Sequence, residues 1–321
     1  MPTTLVIGAG MAGLTAAREL TKQGHTVTVL DKGRGVGGRM ATRRIDRSRI
    51  DHGAQSFTAQ SPFFQSLVEE LLTEGVAGIA PVSSQGDVPL HYIGHNGMSA
   101  IAKYMAQSLH VITGERVIKI DKRTGTSDNG WRVMNESGTT YEADNLLITI
   151  PAPQALTLLQ DSDIGPDEVK IAALESIQYS PCITVMVVLG DQSYMKEKEC
   201  MQFNLGPIAT ITDNHQKGIS PDQTSITIQA GPEFSQTHFD DDLITVGHAL
   251  IDLVPQLIPA ADILTYQVHR WRYSMADVRY PEPFLAANTP APLLFGGDGF
   301  GSGNIEGAFL SGLAMAKAVN S

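Results

Sequence analysis

The sequence predicts an α/β fold, α+β overall, in which a second, β-rich domain is inserted into the first. Three observations support this prediction. An apolar strand, a glycine-rich turn and a helix open the chain. Residues 154–290 contain several short runs with the apolar and β-branched composition of antiparallel strands. An apolar strand, a glycine loop and a helix then return over residues 293–319.

The opening turn has the spacing of a Rossmann-like nucleotide-binding motif. Its residues are Gly8, Gly10, Met11, Ala12 and Gly13. In the G-x-G-x-x-G pattern the first glycine permits a tight turn, the second lets the backbone approach a pyrophosphate, and the third lets the helix pack on the sheet. The N–H groups at the start of that helix can then bind phosphate oxygens.

An acidic residue lies where this motif requires one. Asp31 ends the next apolar run, 26–30, at the position where a carboxylate holds ribose hydroxyls, and Lys32 follows it. Because strand, turn, helix, second strand and acid all occur in order, we expect a bound dinucleotide. The motif alone does not identify which dinucleotide it is.

Composition limits the class of protein, its partners and its location. Hydrophobic content of 42% and charged content of 18% are those of a globular protein, and a net charge of −11 argues against nucleic acid as a partner. The absence of an apolar stretch of about 20 residues argues against a membrane span. Since the chain starts directly on a strand and has two cysteines without C-x-x-C spacing, we expect no signal peptide and a cytoplasmic location. The histidines show no metal-ligand spacing, so no metal is expected.

The remaining elements follow from periodicity and turn residues. Helices are predicted at 14–20, 62–74, 98–109, 240–257 and 304–319. Strands are predicted at 111–121, 131–135, 139–142, 146–150, 183–189, 208–212, 225–230, 263–271 and 293–295. From this order we expect a nucleotide-binding domain of residues 1–60, 96–152 and 290–321, and a substrate domain of residues 61–95 and 153–289.

Glycine clusters recur at three places, and their number bears on the ligand. The second spans residues 31–40 and continues at 51–55, and the third spans 296–303. An NAD-dependent dehydrogenase, one alternative, needs only the first cluster. A long, buried cofactor such as FAD needs backbone contacts at several places, and Arg39 offers its pyrophosphate a fork of donors. The three clusters therefore favour FAD.

These motifs resemble those of the amine-oxidase-like FAD flavoproteins. The resemblance rests on Gly8-x-Gly10-x-x-Gly13, on Asp31 with Gly37-Gly38-Arg39, and on Gly297-Asp298 with Glu306-Gly307-Ala308. Asp31 in place of the more usual Glu, the segment 51–57 and the segment 269–273 are most similar to renalase and its bacterial relatives. The resemblance implies a Rossmann-like FAD-binding domain with an inserted β-rich substrate domain.

The resemblance also assigns roles in holding FAD. The positions concerned are Gly8, Gly10, Met11, Ala12, Gly13, Asp31, Lys32, Gly38, Arg39, Met40, Gly53, Ala54, Gln55, Val117, Gly297, Asp298, Asn304, Ile305 and Ala308. Arg39 and Met40 would line the phosphate and ribityl path, and residues 53–55 would pass near the isoalloxazine. The helix that begins at Asn304 would direct its N-terminus at the flavin pyrimidine and stabilise negative charge there. Because no cysteine lies near the third cluster, FAD is expected to be noncovalent.

The activity implied by the renalase-like resemblance is oxidation of dihydronicotinamide dinucleotides reduced at the 2 or 6 position. Hydride passes to flavin N5, and O2 then takes the electrons to give hydrogen peroxide and NAD(P)+. Such a donor requires no catalytic base. Polar aromatic side chains that could stack on its ring are His52, Tyr92, His269 and Trp271. The oligomeric state is not predicted.

Two further alternatives stay open. One is an amine or polyene oxidoreductase on the same fold, although the lysine that many amine oxidases place near flavin N5 has no convincing candidate, since Lys170, Lys196 and Lys198 lie in polar stretches. The other is a non-enzymatic protein that binds FAD as a structural or sensory element.

Overall fold

The structure is a computed structural model of the chain, and it describes residues 1–81, 89–123, 129–162, 164, 167–190, 193–195 and 199–320. The chain forms two compact units. Unit 1 comprises Met1–Gly38, Ala102–Gln178 and Ala276–Ser321, and unit 2 comprises Arg39–Ile101 and Tyr179–Met275.

The helices and strands are numbered in chain order. The helices are α1 (Met11–Lys22), α2 (Pro62–Thr73), α3 (Ser99–Ala106), α4 (Ala152–Gln160), α5 (Glu168–Glu175), α6 (Pro232–Thr237), α7 (Leu243–Ile251) and α8 (Asn304–Val319). The strands are β1 (Thr3–Ile7), β2 (Thr26–Asp31), β3 (Thr42–Ile45), β4 (Ser48–Asp51), β5 (Ala77–Ile79), β6 (Tyr92–Gly94), β7 (His110–Thr113), β8 (Val117–Lys122), β9 (Trp131–Asn135), β10 (Thr140–Ala143), β11 (Asn145–Ile148), β12 (Gln178–Leu189), β13 (Cys200–Gln202), β14 (Ile208–Asp213), β15 (Ser225–Ala230), β16 (Ile263–Val278), β17 (Phe284–Ala286) and β18 (Leu293–Gly296).

Unit 1 is built on a six-stranded sheet in the order β17-β18-β11-β1-β2-β7. The neighbours from β18 to β7 pair in parallel, and β17 adds an antiparallel edge. Strands β1, β11 and β18 are almost wholly buried, which explains why their sequences read as continuous apolar runs. The α/β fold class with a Rossmann-like domain is therefore confirmed.

Helices α1 and α8 pack against each other in unit 1, and a glycine sets their distance. A Cβ atom on Gly312 would lie 2.4 Å from the Ala12 carbonyl oxygen and 2.9 Å from the Thr15 Cβ. Gly312 thus allows the close packing of α8 on α1.

Unit 2 is built on a five-stranded sheet in the order β13-β14-β15-β12-β16. Because side chains alternate along a strand, the sheet has two different faces. Its first face carries Ile183, Val185 and Val187 of β12, which pack with the apolar side of α7 in one buried cluster. On the second face, Met186 and Val188 pack against Ile45 and Ile50 of the β3–β4 hairpin.

Several element boundaries differ from the sequence prediction. The predicted strand 111–121 is two strands, β7 and β8, because Gly114 takes a φ of +77° between them. The predicted helix 240–257 is limited to α7, and it begins at Leu243 because the side chain of Asp242 caps it by accepting from Thr245 N. Strand β16 continues to Val278, and α4 was not predicted.

The units also divide the chain at other residues than the expected domains. Residues 39–60 fall in unit 2, and residues 153–178 fall in unit 1. The assignment of one domain to the cofactor and the other to the substrate stays a prediction.

Candidate functional site: a dinucleotide cradle and an aromatic face

In unit 1 the predicted cofactor residues gather at the carboxyl edge of the parallel sheet. The loops that follow β1 and β18 begin at Gly8 and Gly297, and the loop that follows β2 begins directly after Asp31. Since parallel strands end at the same edge, these loops lie side by side, which is where open α/β sheets bind ligands.

The first loop has the backbone shape that its glycines predict. Gly8 has a φ of +109°, which favours glycine. A Cβ atom on Gly13 would lie 1.9 Å from the Gly8 carbonyl oxygen, so no other residue fits there. No side chain caps the N-terminus of α1 at Gly10, which leaves its first N–H groups suited to bind phosphate oxygens.

Asp31 is held by backbone donors from two loops. Its Oδ2 accepts from Ala9 N at 2.6 Å, and its Oδ1 accepts from Gly33 N at 2.6 Å. The loop before Val117 reaches the same place, because Glu115 N donates to the Asp31 carbonyl at 2.8 Å. Lys32 instead donates to Gln154 Oε1. Asp31 therefore fixes the loops around the expected ribose position in addition to any contact with the ribose.

The second glycine cluster joins the first. Gly37 N donates to the Ala9 carbonyl at 2.8 Å, and an ideal Cβ on Gly38 would lie 3.8 Å from the Gly10 Cα. Both Gly37 and Gly38 have positive φ. The sequence connects these clusters only through a common ligand, whereas the backbone also brings them into contact.

The third cluster and α8 complete this edge. Gly297 has a φ of +132°, and its N–H donates to the Ser311 hydroxyl. Asp298 is half-buried beside it. At the start of α8, which contains Ile305 and Ala308, the side chain of Asn304 accepts from Glu306 N at 3.0 Å and from Gly307 N at 3.4 Å. Two N–H groups that were expected to face the flavin thus have a partner within the helix.

Thr149 is a residue of this edge that the sequence analysis missed. The Thr149 hydroxyl donates to the Ile7 and Gly8 carbonyl oxygens, each at 3.0 Å. A Cβ on Gly297 would lie 3.5 Å from the Thr149 carbonyl oxygen. Its position directly after the buried strand β11 was the available signal.

In unit 2, Arg39 begins the segment that the resemblance places along the cofactor. Its guanidinium lies over the Tyr179 ring and donates to the carbonyls of Tyr273 and Ser274. A Cβ on Gly53 would lie 2.0 Å from the Arg39 carbonyl oxygen, which also accepts from Ala54 N. Met40 is buried. The two halves of the predicted motif are therefore packed together.

The segment from Asp51 to Gly53 is anchored to the second face of the unit 2 sheet. Each of its consecutive carbonyl oxygens accepts from a side chain of that face. The donors are Thr227 to Asp51 O at 2.9 Å, Trp271 Nε1 to His52 O at 2.7 Å, and Gln229 Nε2 to Gly53 O at 2.9 Å. The position of His52 is therefore set by strands β15 and β16.

Asp51 itself forms a buried ion pair with Lys217 at 2.7 Å. Its other carboxylate oxygen accepts from the Thr42 hydroxyl at 2.5 Å and from Met98 N at 2.9 Å. Lys217 was not predicted, since a single lysine in a polar turn carries no local signal of burial. Lys170 is half-buried on α5, and Lys196 and Lys198 lie outside the described residues.

His52, His269 and Trp271 form a ring cluster in unit 2. His52 stacks on Trp271 with centroids 5.2 Å apart, and His269 meets both rings edge-on at 5.0 and 4.5 Å. Burial, reinforced by the charges of His269 and Arg43, lowers the pKa of His52 to about 3. Burial and then the Arg43 charge also lower the pKa of His269. Both imidazoles are therefore neutral at pH 7.

Tyr92 does not join the ring cluster. It packs against Phe57 with centroids 5.6 Å apart and exchanges backbone hydrogen bonds with it. Tyr92 shares only its polar aromatic character with the other three residues, and its strand pairs with β5. Its assignment to the substrate stays a prediction.

Two buried atoms of the segment 52–55 fit a polar heterocyclic ligand. His52 is only 5% exposed. Within the part of the chain that the structure describes, its Nδ1 has no hydrogen-bond partner, and neither does the Oε1 of Gln55. Buried polar atoms are normally satisfied. A flavin ring carries both hydrogen-bond donors and acceptors, so the residues present fit FAD.

Other features of the described residues lie apart from this chemistry. A cavity of about 390 Å³ in unit 2 is lined by Phe234, His238, Asp241, Asp242, Thr245, Val246 and Ala249, none of them a predicted site residue. Across the ranges described, no three His, Cys, Asp or Glu side chains are grouped as metal ligands. No described helix combines the length and apolarity needed to cross a bilayer.

The sheet of unit 1 with its glycine loops defines a dinucleotide-binding protein of the Rossmann type. Comparison with family models narrows this class. Residues 6–71 match an NAD(P)-binding Rossmann-like domain, and residues 72–320 match flavin containing amine oxidoreductase. The chain belongs to the flavin containing amine oxidoreductase family.

Individual relatives agree with this assignment. Renalase of Mus musculus is 27% identical over 353 aligned residues, which cover 99% of each chain. Putrescine oxidase of Kocuria rosea is 40% identical over 67 residues, 21% of this chain and 14% of its own. The structure of a putrescine oxidase bound to putrescine superposes with a TM-score of 0.75 at 15% identity and covers 99% of both chains, which is a likeness of fold.

The chain is accordingly an FAD-dependent oxidoreductase. FAD as its cofactor, its membership of the amine-oxidase-like flavoproteins and its similarity to renalase are confirmed. The alternative of an NAD-dependent dehydrogenase without flavin is replaced by this result. The residues that hold FAD stay predictions.

Proposed function

We propose that this protein oxidises dihydronicotinamide dinucleotides reduced at the 2 or 6 position, with O2 as the electron acceptor. The observation that carries the proposal is the ring cluster of His52, His269 and Trp271, which offers neutral aromatic faces and no ionised base. The similarity to renalase over 99% of both chains supports it.

The ring cluster suits a donor of this kind because of how charge develops. A dihydronicotinamide is neutral, and loss of hydride turns it into a pyridinium cation. Aromatic faces stabilise such a cation, and neutral histidine rings add no positive charge of their own. The low pKa of His52, together with the lowered pKa of His269, keeps both rings uncharged.

The cofactor supplies the redox chemistry, since bound FAD accepts a hydride at N5 and returns two electrons to O2. The residues of this chain hold the cofactor and orient the substrate. Asp31 and the α1 N-terminus bind the ribose and phosphates, and Gly37–Gly38 let the backbone pass close to them. The carbonyl anchors on Asp51, His52 and Gly53 fix the ring cluster, so that orientation rather than proton transfer supplies the catalysis.

A screen of electron donors tests the proposal. The purified holoenzyme is mixed anaerobically with 2-dihydro- and 6-dihydro-NAD(P), ordinary NADPH, putrescine and other amines, and a polyene, and bleaching of the flavin absorbance is followed. We expect fast bleaching by the dihydronicotinamide isomers only. Bleaching by amines or polyenes alone contradicts the proposal, and bleaching by no donor favours a non-enzymatic FAD protein.

A variant of the ring cluster sharpens this test. Trp271→Phe keeps an aromatic face but leaves the His52 carbonyl without its 2.7 Å donor, so we expect flavin reduction to slow about tenfold with FAD content unchanged. Tyr266→Phe is the matched control, because Tyr266 lies on the same strand and packs against the opposite sheet face. Equal rates for both variants would contradict a role of the cluster.

A further inference from the structure

The β3–β4 hairpin concentrates positive charge in a chain whose net charge is −11. Its arginines are Arg43, Arg44, Arg47 and Arg49. Arg44 and Arg47 are exposed, and Arg49 is half-buried. Among the described side chains, the ion pairs found do not include these last three arginines. Asp46 in the turn offsets one of these charges, so the hairpin still carries an excess of positive charge.

Two of these arginines oppose each other directly. The strand register pairs Arg44 with Arg49, so their side chains lie next to each other on the outer face of the hairpin. Like charges in this position destabilise a strand pair. An anion bound at the hairpin would relieve that repulsion.

Arg43 connects the hairpin to the ring cluster. Its Nη1 donates to Gln267 Oε1 at 3.2 Å. Residues 267, 269 and 271 alternate along β16, so the side chains of Gln267, His269 and Trp271 extend from the same face. The Arg43 charge also contributes to the lowered pKa of His269. A guanidinium thus lies beside the stacked rings within unit 2.

We propose that Arg43 binds a phosphate group of the dinucleotide whose dihydronicotinamide ring stacks on His52, His269 and Trp271. This inference rests on the proposed function. One ribose separates the ring of such a dinucleotide from its nearest phosphate, so a ring site and a phosphate site must be neighbours. The planar fork of arginine matches phosphate oxygens, and the other hairpin arginines attract the anion over a longer range.

The experiment compares two donors that differ in phosphate. The 6-dihydro form of NAD carries a pyrophosphate, and 6-dihydronicotinamide riboside carries none. Anaerobic flavin reduction is measured over a range of each donor for the wild type, Arg43→Gln and Arg43→Lys, with Arg47→Gln as a control for the general charge of the hairpin. Equilibrium titration with NAD+ and with nicotinamide riboside gives a second readout that does not depend on turnover.

For Arg43→Gln we expect the half-saturating dinucleotide concentration and the Kd of NAD+ to rise about tenfold, with riboside values changed less than about twofold. Arg43→Lys should recover part of the loss, and Arg47→Gln should change dinucleotide binding less than about threefold. Unchanged dinucleotide binding, or an equal loss for riboside, would overturn the phosphate site. If neither donor reduces the wild-type flavin, the proposed function is overturned and this inference with it.

Discussion

Asp31 connects the loops at the carboxyl edge of the unit 1 sheet. Its carboxylate joins Ala9 and Gly33 through two 2.6 Å hydrogen bonds, so its removal leaves two backbone donors without their acceptor and would also remove the ribose contact that the motif predicts. We expect Asp31→Ala to weaken FAD binding about tenfold or more. The flavin-to-protein absorbance ratio and the Kd on reconstitution measure this, with Asp121→Ala, at a half-buried pair with Lys119, as control. Full flavin content in Asp31→Ala would argue against the assigned role.

His52 makes the stability of the protein depend on pH. Its folded pKa of about 3 lies below the ordinary value of 6.5, so the unfolded chain binds more protons between these values. Stability is fully present above pH 6.5 and falls progressively as the pH drops toward 3.

His52→Phe keeps an aromatic ring and removes the titrating group. The free energy of unfolding, measured between pH 4.5 and 7 in both proteins, should therefore fall less steeply in His52→Phe as the solution is acidified. His238→Phe, which alters an exposed histidine paired with Asp241, is the comparison variant. Parallel curves for the wild type and His52→Phe would show that His52 does not titrate as described.

Residues with local signals were predictable, and residues that act through distant partners were not. The glycines of the first loop and Asp31 follow from spacing, because a tight turn and a strand end constrain the sequence nearby. Thr149 contacts Gly8 from 141 positions away, and Lys217 meets Asp51 from 166 positions away. Only folding brings such pairs together, so no short motif records them.

At the scale of elements, the Asp51–Lys217 pair holds the hairpin, the start of α3 and the turn after β14 together. Lys217→Met leaves a buried carboxylate without its cation, and we expect a loss of about 3–5 kcal/mol in the free energy of unfolding. Asp51→Asn added to Lys217→Met should restore part of that loss, because the amide oxygen still accepts from Thr42 and Met98 N while the buried charge is gone.

Denaturant unfolding of the single and double variants measures this coupling. Lys22→Met serves as control, since Lys22 is 62% exposed in its pair with Glu19 and should cost at most about 0.5 kcal/mol. A double variant less stable than Lys217→Met would show that the charge of Asp51 is not the source of the loss.

The order of elements was predicted better than their ends. Strands β9 and β15 and helix α8 have the predicted bounds, since turn residues or a change of period limit them. Helix α7 is shorter than its apolar pattern, because the pattern continues into residues that pack on the same cluster without helical geometry, such as Val254 and Ile258. Periodicity records burial as well as secondary structure.

At the scale of the whole molecule, noncovalent FAD should couple to stability. Acid precipitation should release all the flavin into the supernatant. Added FAD should raise the Tm in a concentration-dependent way, because at 100 times Kd it adds about 2.7 kcal/mol to the free energy of unfolding. Calorimetry of the apo and loaded protein measures this. Flavin that stays in the precipitate would contradict noncovalent binding.

The two-faced sheet of unit 2 also imposes a rule on sequence change. In β12, residues 183, 185 and 187 contribute to the helix-covered core, and residues 186 and 188 support the layer that carries His52. Substitutions at the odd positions should therefore lower the yield of folded protein, and substitutions at the even positions should lower turnover. Deletion of a single residue would exchange the two sets, so lineages of this chain should accumulate point replacements in β12 while length changes are confined to its flanking loops.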